Sequence, residues 1–429
     1  MLWLQSVRER LRLSLWFVPL VLAVGAALLA LVLSAIDRSL AADGSEPFFS
    51  FGGTPEGARS VLSTIAQSML TFTGLVFTIT MLVLQLASSQ LSPRVMRTFL
   101  RDRGNQIVLG IFIATFVFTL LVLREVRTPI DGAGAFVPAV SVWVAFAFLL
   151  ASVAAFVWYI DHMAHAIRAS TVIANIWGET VEAIERLYPE RLSTGSVEVD
   201  WTPLSAPNIV LKATSPGVIV GVDEAALLGG SETGDQVIEL CWSVGDFVPE
   251  GAAIARLWGD WTRDSADKVR AALATGGERT LDQDPAFGFR QLVDIALRAL
   301  SPGTNDPTTA VQALDRLHDL LRRLVRREIP PPTRSVDGRP RLVVPGPSWE
   351  DYVHLSLEEI RLAGAGQIQV TRRLRALLAD LESEAPDNRR GVLRQEDREL
   401  DLVPKRDGED AAGPPAGASR MRLPARSRR

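Results

Sequence analysis

The stretch from Val61 to Ala87 contains no Asp, Glu, Lys or Arg. A bilayer is crossed by about 20 mostly apolar residues in a helix, so this segment is long enough to span one. It is not plain hydrocarbon. Thr64, Gln67, Ser68, Thr71, Gly74, Thr78, Gln85 and Ser88 recur at three-, four- and seven-residue spacing, which gathers them on one helical face. Leu62, Ile65, Met69, Phe72, Val76, Val83 and Leu86 occupy the other. Lipid supplies no hydrogen bonds, so a Ser/Thr/Gln face is expected to turn towards another helix, a second subunit or water. Such a face serves either as a helix seam, the ordinary use of small residues at this spacing, or as the lining of a polar path. The segment ends in a basic loop, SPRVMRTFLRDR, which carries Arg94, Arg97, Arg101 and Arg103.

Three further apolar runs share the first part of the chain: 15–36, 107–123 and 135–160. The first exceeds a signal-peptide core in length and is read as a retained helix. Trp158 and Tyr159, near the end of the fourth, suit a membrane interface. Arg8, Arg10 and Arg12 precede the first span, and the four arginines above follow the second. The opposite side carries Arg38, Arg59, Arg124 and Arg127. That bias places both termini in the cytoplasm, with the protein multi-pass in the membrane.

The rest of the 429 residues reads as soluble, and a net charge of −4 argues against a nucleic-acid partner. The lone Cys241 excludes an intramolecular disulfide. Asp161, His162 and His165 lie just past the fourth span, and residues three apart share a helix face. They are the weak candidates for a metal, but they do not complete a structural zinc site. A pair of interfacial histidines is the plainer reading.

The expected fold is an α-helical integral membrane domain of four transmembrane helices, followed by a cytosolic α+β domain with a small β module and helical hairpins. The boundaries read as 1–165 for the membrane domain, 166–200 for a helical connector and 201–260 for the β module. A helical cytosolic domain follows over 261–384, with a strand expected at 341–344, and a charged stretch, 385–429, reads as a disordered tail. Within the β module, NIVLKAT, SPGVIVGVD and DQVIELCWSVGDFVPEGAAIARLW are short Val/Ile runs punctuated by Gly, Pro and Asp. In the helical part, Asp284-Pro285 and Asp306-Pro307 each set a capping acid before a proline at the first helical position. The SPGTND loop between those helices is either an anion-binding loop at a helix N-terminus or a well-capped turn; it has no phosphate-loop Lys or Gly-rich cradle.

Two resemblances follow from these stretches. Residues 207–258 resemble a biotinyl/lipoyl-like barrel-sandwich module, but EAALLGGSETGDQ has no lysine, so the resemblance implies a structural module without an attached cofactor. Four segments, ARSVLSTIAQSML, LQLASSQLSPRVMRTFLRDRGNQIVLG, GDFVPEG and QDPAFGFRQLVDIALRALSPGTNDPTTA, resemble a bacterial family of predicted membrane proteins, domain of unknown function 2254. That resemblance implies a membrane protein with a cytosolic domain and carries over no site residues.

No nucleophile elbow, Walker loop or zinc-protease motif is present, and the four His have ordinary structural readings, so nothing points to an enzyme. Two expectations remain. One is a homo-oligomeric channel or transport-related protein, its polar faces lining a path and its four loop arginines forming a positive ring on the cytoplasmic side. The other is a membrane-anchored scaffold or sensor with a cytosolic protein partner. The lipid bilayer is the common partner, and no cofactor is expected.

Overall fold

The computed structural model of the chain describes residues 16–42, 54–90, 103–128, 136–166, 168–190, 201–229 and 236–402. Four helices are long and apolar enough to cross a membrane. They are α1 (Phe17–Ala42), α2 (Pro55–Gln90), α3 (Arg103–Glu125) and α4 (Ala139–Ala166). Helix α3 is the innermost, with half of its apolar window buried against about a fifth for the others, and it packs on α1, α2 and α4. Phe72, Phe112 and Phe156 form an aromatic cluster at the α2–α3–α4 contact, with Phe72 stacked on Phe156 at 4.9 Å.

Helix α1 continues past the expected end at Ile36 because Asp37 has a helical task. Its carboxylate is 5 % exposed and accepts from the Val140 and Ser141 backbone N–H and from the Ser141 hydroxyl, at 3.0, 3.1 and 2.6 Å. One acid from α1 thus satisfies orphan donors at the start of α4. Tyr159 also departs from expectation. It is fully buried, its hydroxyl shared with Thr80 at 2.8 Å and donated to the Val76 carbonyl at 3.1 Å, so it ties α4 to α2 inside the bundle. Trp158 is half-exposed beside it and stacks on His162 at 4.7 Å.

Helix α5 (Ala169–Leu187) follows α4 with Ile167 and Arg168 between them, and it belongs to a second core. After it come β1 (Ile209–Lys212), β2 (Gly217–Val222), α6 (Glu224–Gly229), β3 (Val237–Leu240), β4 (Phe247–Val248) and β5 (Ala253–Trp258). Next are α7 (Arg263–Ala271), β6 (Leu273–Gly276), α8 (Pro285–Leu300), α9 (Pro307–Leu324), β7 (Thr333–Val336) and β8 (Arg339–Val343). Helices α10 (Trp349–Ala363), α11 (Ile368–Glu384) and α12 (Arg390–Leu402) complete the described chain.

The strands form a five-stranded sheet, β1-β5-β3-β8-β7, and a three-stranded sheet, β4-β2-β6. All pairs are antiparallel except β3 with β8, where Ile238 faces Leu342. The β region is therefore not confined to 201–260. Strands β6 and β7 lie inside the stretch read as helical, and β8, which covers most of the strand expected at 341–344, returns after the α8–α9 hairpin to extend the sheet. Short strands carry a weak local alternation; β6 is held by pairing with β2, β7 by β8, and β8 by β3.

The C-terminal helical core is built from α5 and α8 to α12, with Phe289, Leu292, Leu314, Leu317, Tyr352 and Leu377 fully buried. The stretch from Ala385 to Leu402 is not a tail. Leu393 is 1 % exposed, and Glu396, also 1 % exposed, accepts from Arg361 and pairs with His354. The residues beyond Leu402 lie outside the described chain.

Both capping acids perform as expected. The Asp284 carboxylate accepts from the Phe287 N–H at 3.1 Å, and that of Asp306 from Thr308 and Thr309, both at 3.1 Å. Asp306 occupies the helix start that an outside anion would need, so SPGTND is a capped turn, with Asn305 held at φ 45°. The Thr309 hydroxyl, then the backbone N–H groups, hold the Asp306 carboxyl below its ordinary range. Its folded value being depressed, its stabilisation is present above the unfolded value and is lost as pH falls through the folded one. Burial instead pushes Asp284 up, against the pull of Arg279, so its contribution is greatest in acid and declines as pH rises through the ordinary carboxylate range. Asp306→Ala should cost about 1 kcal/mol at neutral pH, and the loss should shrink as the pH is lowered below the carboxylate range. Urea unfolding at pH 7 and pH 3 checks this; an equal loss at both would refute the assignment.

Candidate functional site

The polar face of α2 is the sequence feature with the clearest functional content, and its place is on the outside. Thr64, Gln67, Thr71, Gly74, Thr78 and Gln85 are exposed and Ser68 is half-buried, while Leu62, Ile65, Met69, Val76 and Val83 are buried on the side that faces α3 and α4. The face is therefore not sealed within one four-helix bundle. The side chain of Ser88 lies outside the described residues.

Most of this polarity is satisfied locally. The hydroxyls of Thr64, Ser68, Thr71 and Thr78 donate to the carbonyls of Ser60, Thr64, Gln67 and Gly74, at 2.8, 2.8, 3.1 and 2.8 Å. Such back-bonding removes the objection to lipid for a Ser or Thr. It does nothing for glutamine. The Gln67 carboxamide, with two donors and an acceptor, makes no hydrogen bond among the described residues. Helix α2 has 36 residues, about 54 Å at 1.5 Å per residue, against a hydrocarbon core of about 30 Å. Gln67 lies within about two turns of the helix middle and Gln85 about 20 Å from it, so a helix centred on the bilayer holds Gln67 at hydrocarbon depth and Gln85 at the interface. Gln67 is thus the residue whose place most requires a partner beyond the described residues.

Arg94, Arg97 and Arg101 lie outside the described residues; Arg103 opens α3 and is exposed. Asp161 and His165 pair with one another on the outer side of α4, and His162 is held against Trp158. Among the described residues no group of three His, Cys, Asp or Glu is placed to hold a metal.

A second constellation was legible only in part. QDPAFGF is the joint between α5, the β sheets and the helical core. The Gln283 carboxamide oxygen accepts from the β2 Val222 N–H at 2.8 Å. Asp284, 4 % exposed, takes both Nε and Nη2 of Arg279 at 2.8 Å, and Gly245 (φ 97°) lies so close that a Cβ there would fall 2.4 Å from Asp284 Oδ2. Gly288 lies against Thr180 of α5, and Phe289 packs on Tyr352 at 4.9 Å. The Tyr188 and Tyr352 hydroxyls share a buried hydrogen bond of 2.8 Å. Burial pushes both phenols above their ordinary value, Tyr352 furthest, so both are neutral hydrogen-bonding groups at neutral pH. A cavity of about 130 Å³ lies here, also walled by Glu224 and Arg334, which form an ion pair. The arrangement locks three parts of the molecule together. Gln283 and Gly288 were missed as joint residues; the only signal was the length and distinctiveness of the segment that holds them.

Four apolar spanning helices, one with a polar outer face, followed by an α+β region with helices and small sheets, define a membrane protein with an extramembranous C-terminal part. The chain belongs to the family described as "Predicted membrane protein (DUF2254)", whose sequence model matches residues 12–380. It is similar to an uncharacterized protein of Mycobacterium bovis, 37 % identical over 356 residues, covering 80 % of this chain and 67 % of that one. An uncharacterized protein of Mycobacterium tuberculosis is also 37 % identical over 356 residues, with the same coverage. No solved structure matches the chain.

Proposed function

We propose that the protein is a homo-oligomer of the bacterial inner membrane in which the polar faces of α2 from several copies meet about a shared axis and line a polar path. The C-terminal part is its cytoplasmic regulatory domain. One observation carries the reading: Gln67, near the middle of a span long enough to cross the bilayer, is exposed on the outside of the bundle with no partner among the described residues. A second copy supplies that partner at no desolvation cost. Both termini are cytoplasmic on the loop-charge argument. Arg94, Arg97, Arg101 and Arg103 of each copy then gather at the inner mouth and favour anions.

The back-bonded hydroxyls support a second reading, in which the α2 faces close into a dry seam and the protein is a membrane-anchored scaffold or sensor. Cysteine chemistry separates the two. In a Cys241→Ala background, Thr71→Cys and Thr78→Cys should cross-link copies under mild oxidation and, in a wet path, react with a membrane-impermeant thiol reagent added outside. Phe72→Cys and Val76→Cys, turned into the bundle, should do neither. Thr54→Cys should react from outside whatever the oligomer, and its inertness would refute the topology. Cross-linking without labelling supports the seam; absence of both sinks the oligomer. For a path, Thr71→Leu should leave the fold intact and abolish most ion flux in liposomes, because a hydrophobic constriction dewets a pore.

A further inference from the structure

Arg389 is 9 % exposed, yet it forms no ion pair among the described residues. Buried charges are ordinarily paired, because removing a cation from water costs several kcal/mol. The side chain is held firmly. Nη1 donates to the Leu324 and Val325 carbonyls at 2.9 Å each, at the C-terminal end of α9. The Trp349 ring lies 5.5 Å from the guanidinium carbon, and its indole N–H donates to the Arg389 carbonyl at 3.1 Å. The C-terminal carbonyls of α9 offset part of the charge. They occupy Nη1 only. Nε and Nη2, the edge of the guanidinium that grips a carboxylate or phosphate with two parallel hydrogen bonds, have no acceptor among the described residues.

That side chain helps to line a cavity of about 250 Å³. Pro330, Pro331, Pro332 and Pro347 form its other walls, with Trp349 and the start of α10. Prolines bring no N–H and little freedom, so their rings are preorganised apolar surface within a lining that also carries Ser348, Asn388 and Arg389. The N-terminus of α10, a 15-residue helix, adds positive potential. Burial lowers the Arg389 pKa, as expected for a cation without a counter-ion at contact distance. Glu350 stands at the rim and acts on Arg389 only at longer range. The space is a little below the 300 Å³ at which small-molecule pockets usually begin, so its occupant is small.

We propose that this cavity binds a small organic anion, a carboxylate or phosphate monoester, whose charged group is gripped by Nε and Nη2 of Arg389 and whose apolar body rests on the prolines and Trp349. It lies between the linkers that enter β7 and leave β8, the start of α10 and the turn before α12, so an occupant bridges the flanks of the sheet to the helical core.

Calorimetric titration of the full-length protein in nanodiscs, at constant ionic strength, tests this with phenyl phosphate and benzoate as probes. Saturable one-to-one binding of either is expected. Arg389→Gln should weaken it about tenfold or more, since a charge-assisted bidentate contact is lost. Gly346→Glu puts a carboxylate at the cavity wall where a side chain meets open space, so this variant should fold as the parent does and also lose binding about tenfold or more. It keeps the test valid should Arg389→Gln unfold. Glu350→Gln should tighten binding by removing a like charge. Binding of neither probe to the parent, or binding unchanged in Gly346→Glu, overturns the proposal.

Discussion

Replacing Gly288 by valine is expected to destabilise the C-terminal domain by about 3 kcal/mol, the upper end for overpacking a well-filled core. A Cβ at Gly288 would stand 1.9 Å from Thr180 Oγ1 and 2.9 Å from its Cβ and Cγ2. Thr180 cannot step aside. It is fully buried, β-branched within α5, and its hydroxyl donates to the Ile176 carbonyl at 2.6 Å. Helices α5 and α8 must then separate, and with them the buried pairs that Val172, Ile173 and Ile176 make with the helical core. Denaturant unfolding of residues 169–402 measures the loss, and the cycle with Thr180→Ala gives the coupling. Thr180→Ala should restore much of the stability of Gly288→Ala and less of that of Gly288→Val, whose added methyls exceed the space vacated. A valine variant that unfolds with the parent would show that the two helices do not approach so closely.

Glu396→Ala is expected to cost about 3–5 kcal/mol, because it leaves buried donors without an acceptor. Glu396 is 1 % exposed and Arg361 is 9 % exposed; they meet at 3.2 Å, and His354 Nδ1 lies 2.8 Å from the other carboxylate oxygen. Arg361 also bonds Glu399, so α12 is held to α10 by a small network with Leu393 packed beneath it. Removing one member should release the whole of α12. Hydrogen exchange over residues 390–402 should rise while α8 and α9 remain protected. Glu396→Gln, which keeps one acceptor, should cost less. If truncation after Ala385 left the unfolding midpoint unchanged, α12 would contribute nothing to the domain.

These two cases mark how far local sequence reading reaches. Gly288 lies in a segment whose helix, cap and proline were all legible, since capping depends on residues within one turn. That its missing side chain is what lets α5 approach could not be read, because Thr180 is far away in sequence. Helix α12 was misread altogether. RGVLRQEDRELDL is charged enough to look solvated, and its buried stripe of Val392, Leu393, Glu396 and Leu400 includes an acid whose burial makes sense only beside Arg361 and His354.

The four spans, their rough limits, the two faces of α2 and both proline-led helix starts were settled by composition and period alone. Hydrophobic length and 3.6-residue repetition are properties of a segment and need no partner. Which face of α2 would be buried, the parallel return of β8 onto β3, the reach of Asp37 to the start of α4 and the isolation of Arg389 were decided only by tertiary structure. Each of these depends on what another part of the chain brings within a few ångströms, and a local pattern carries no record of that.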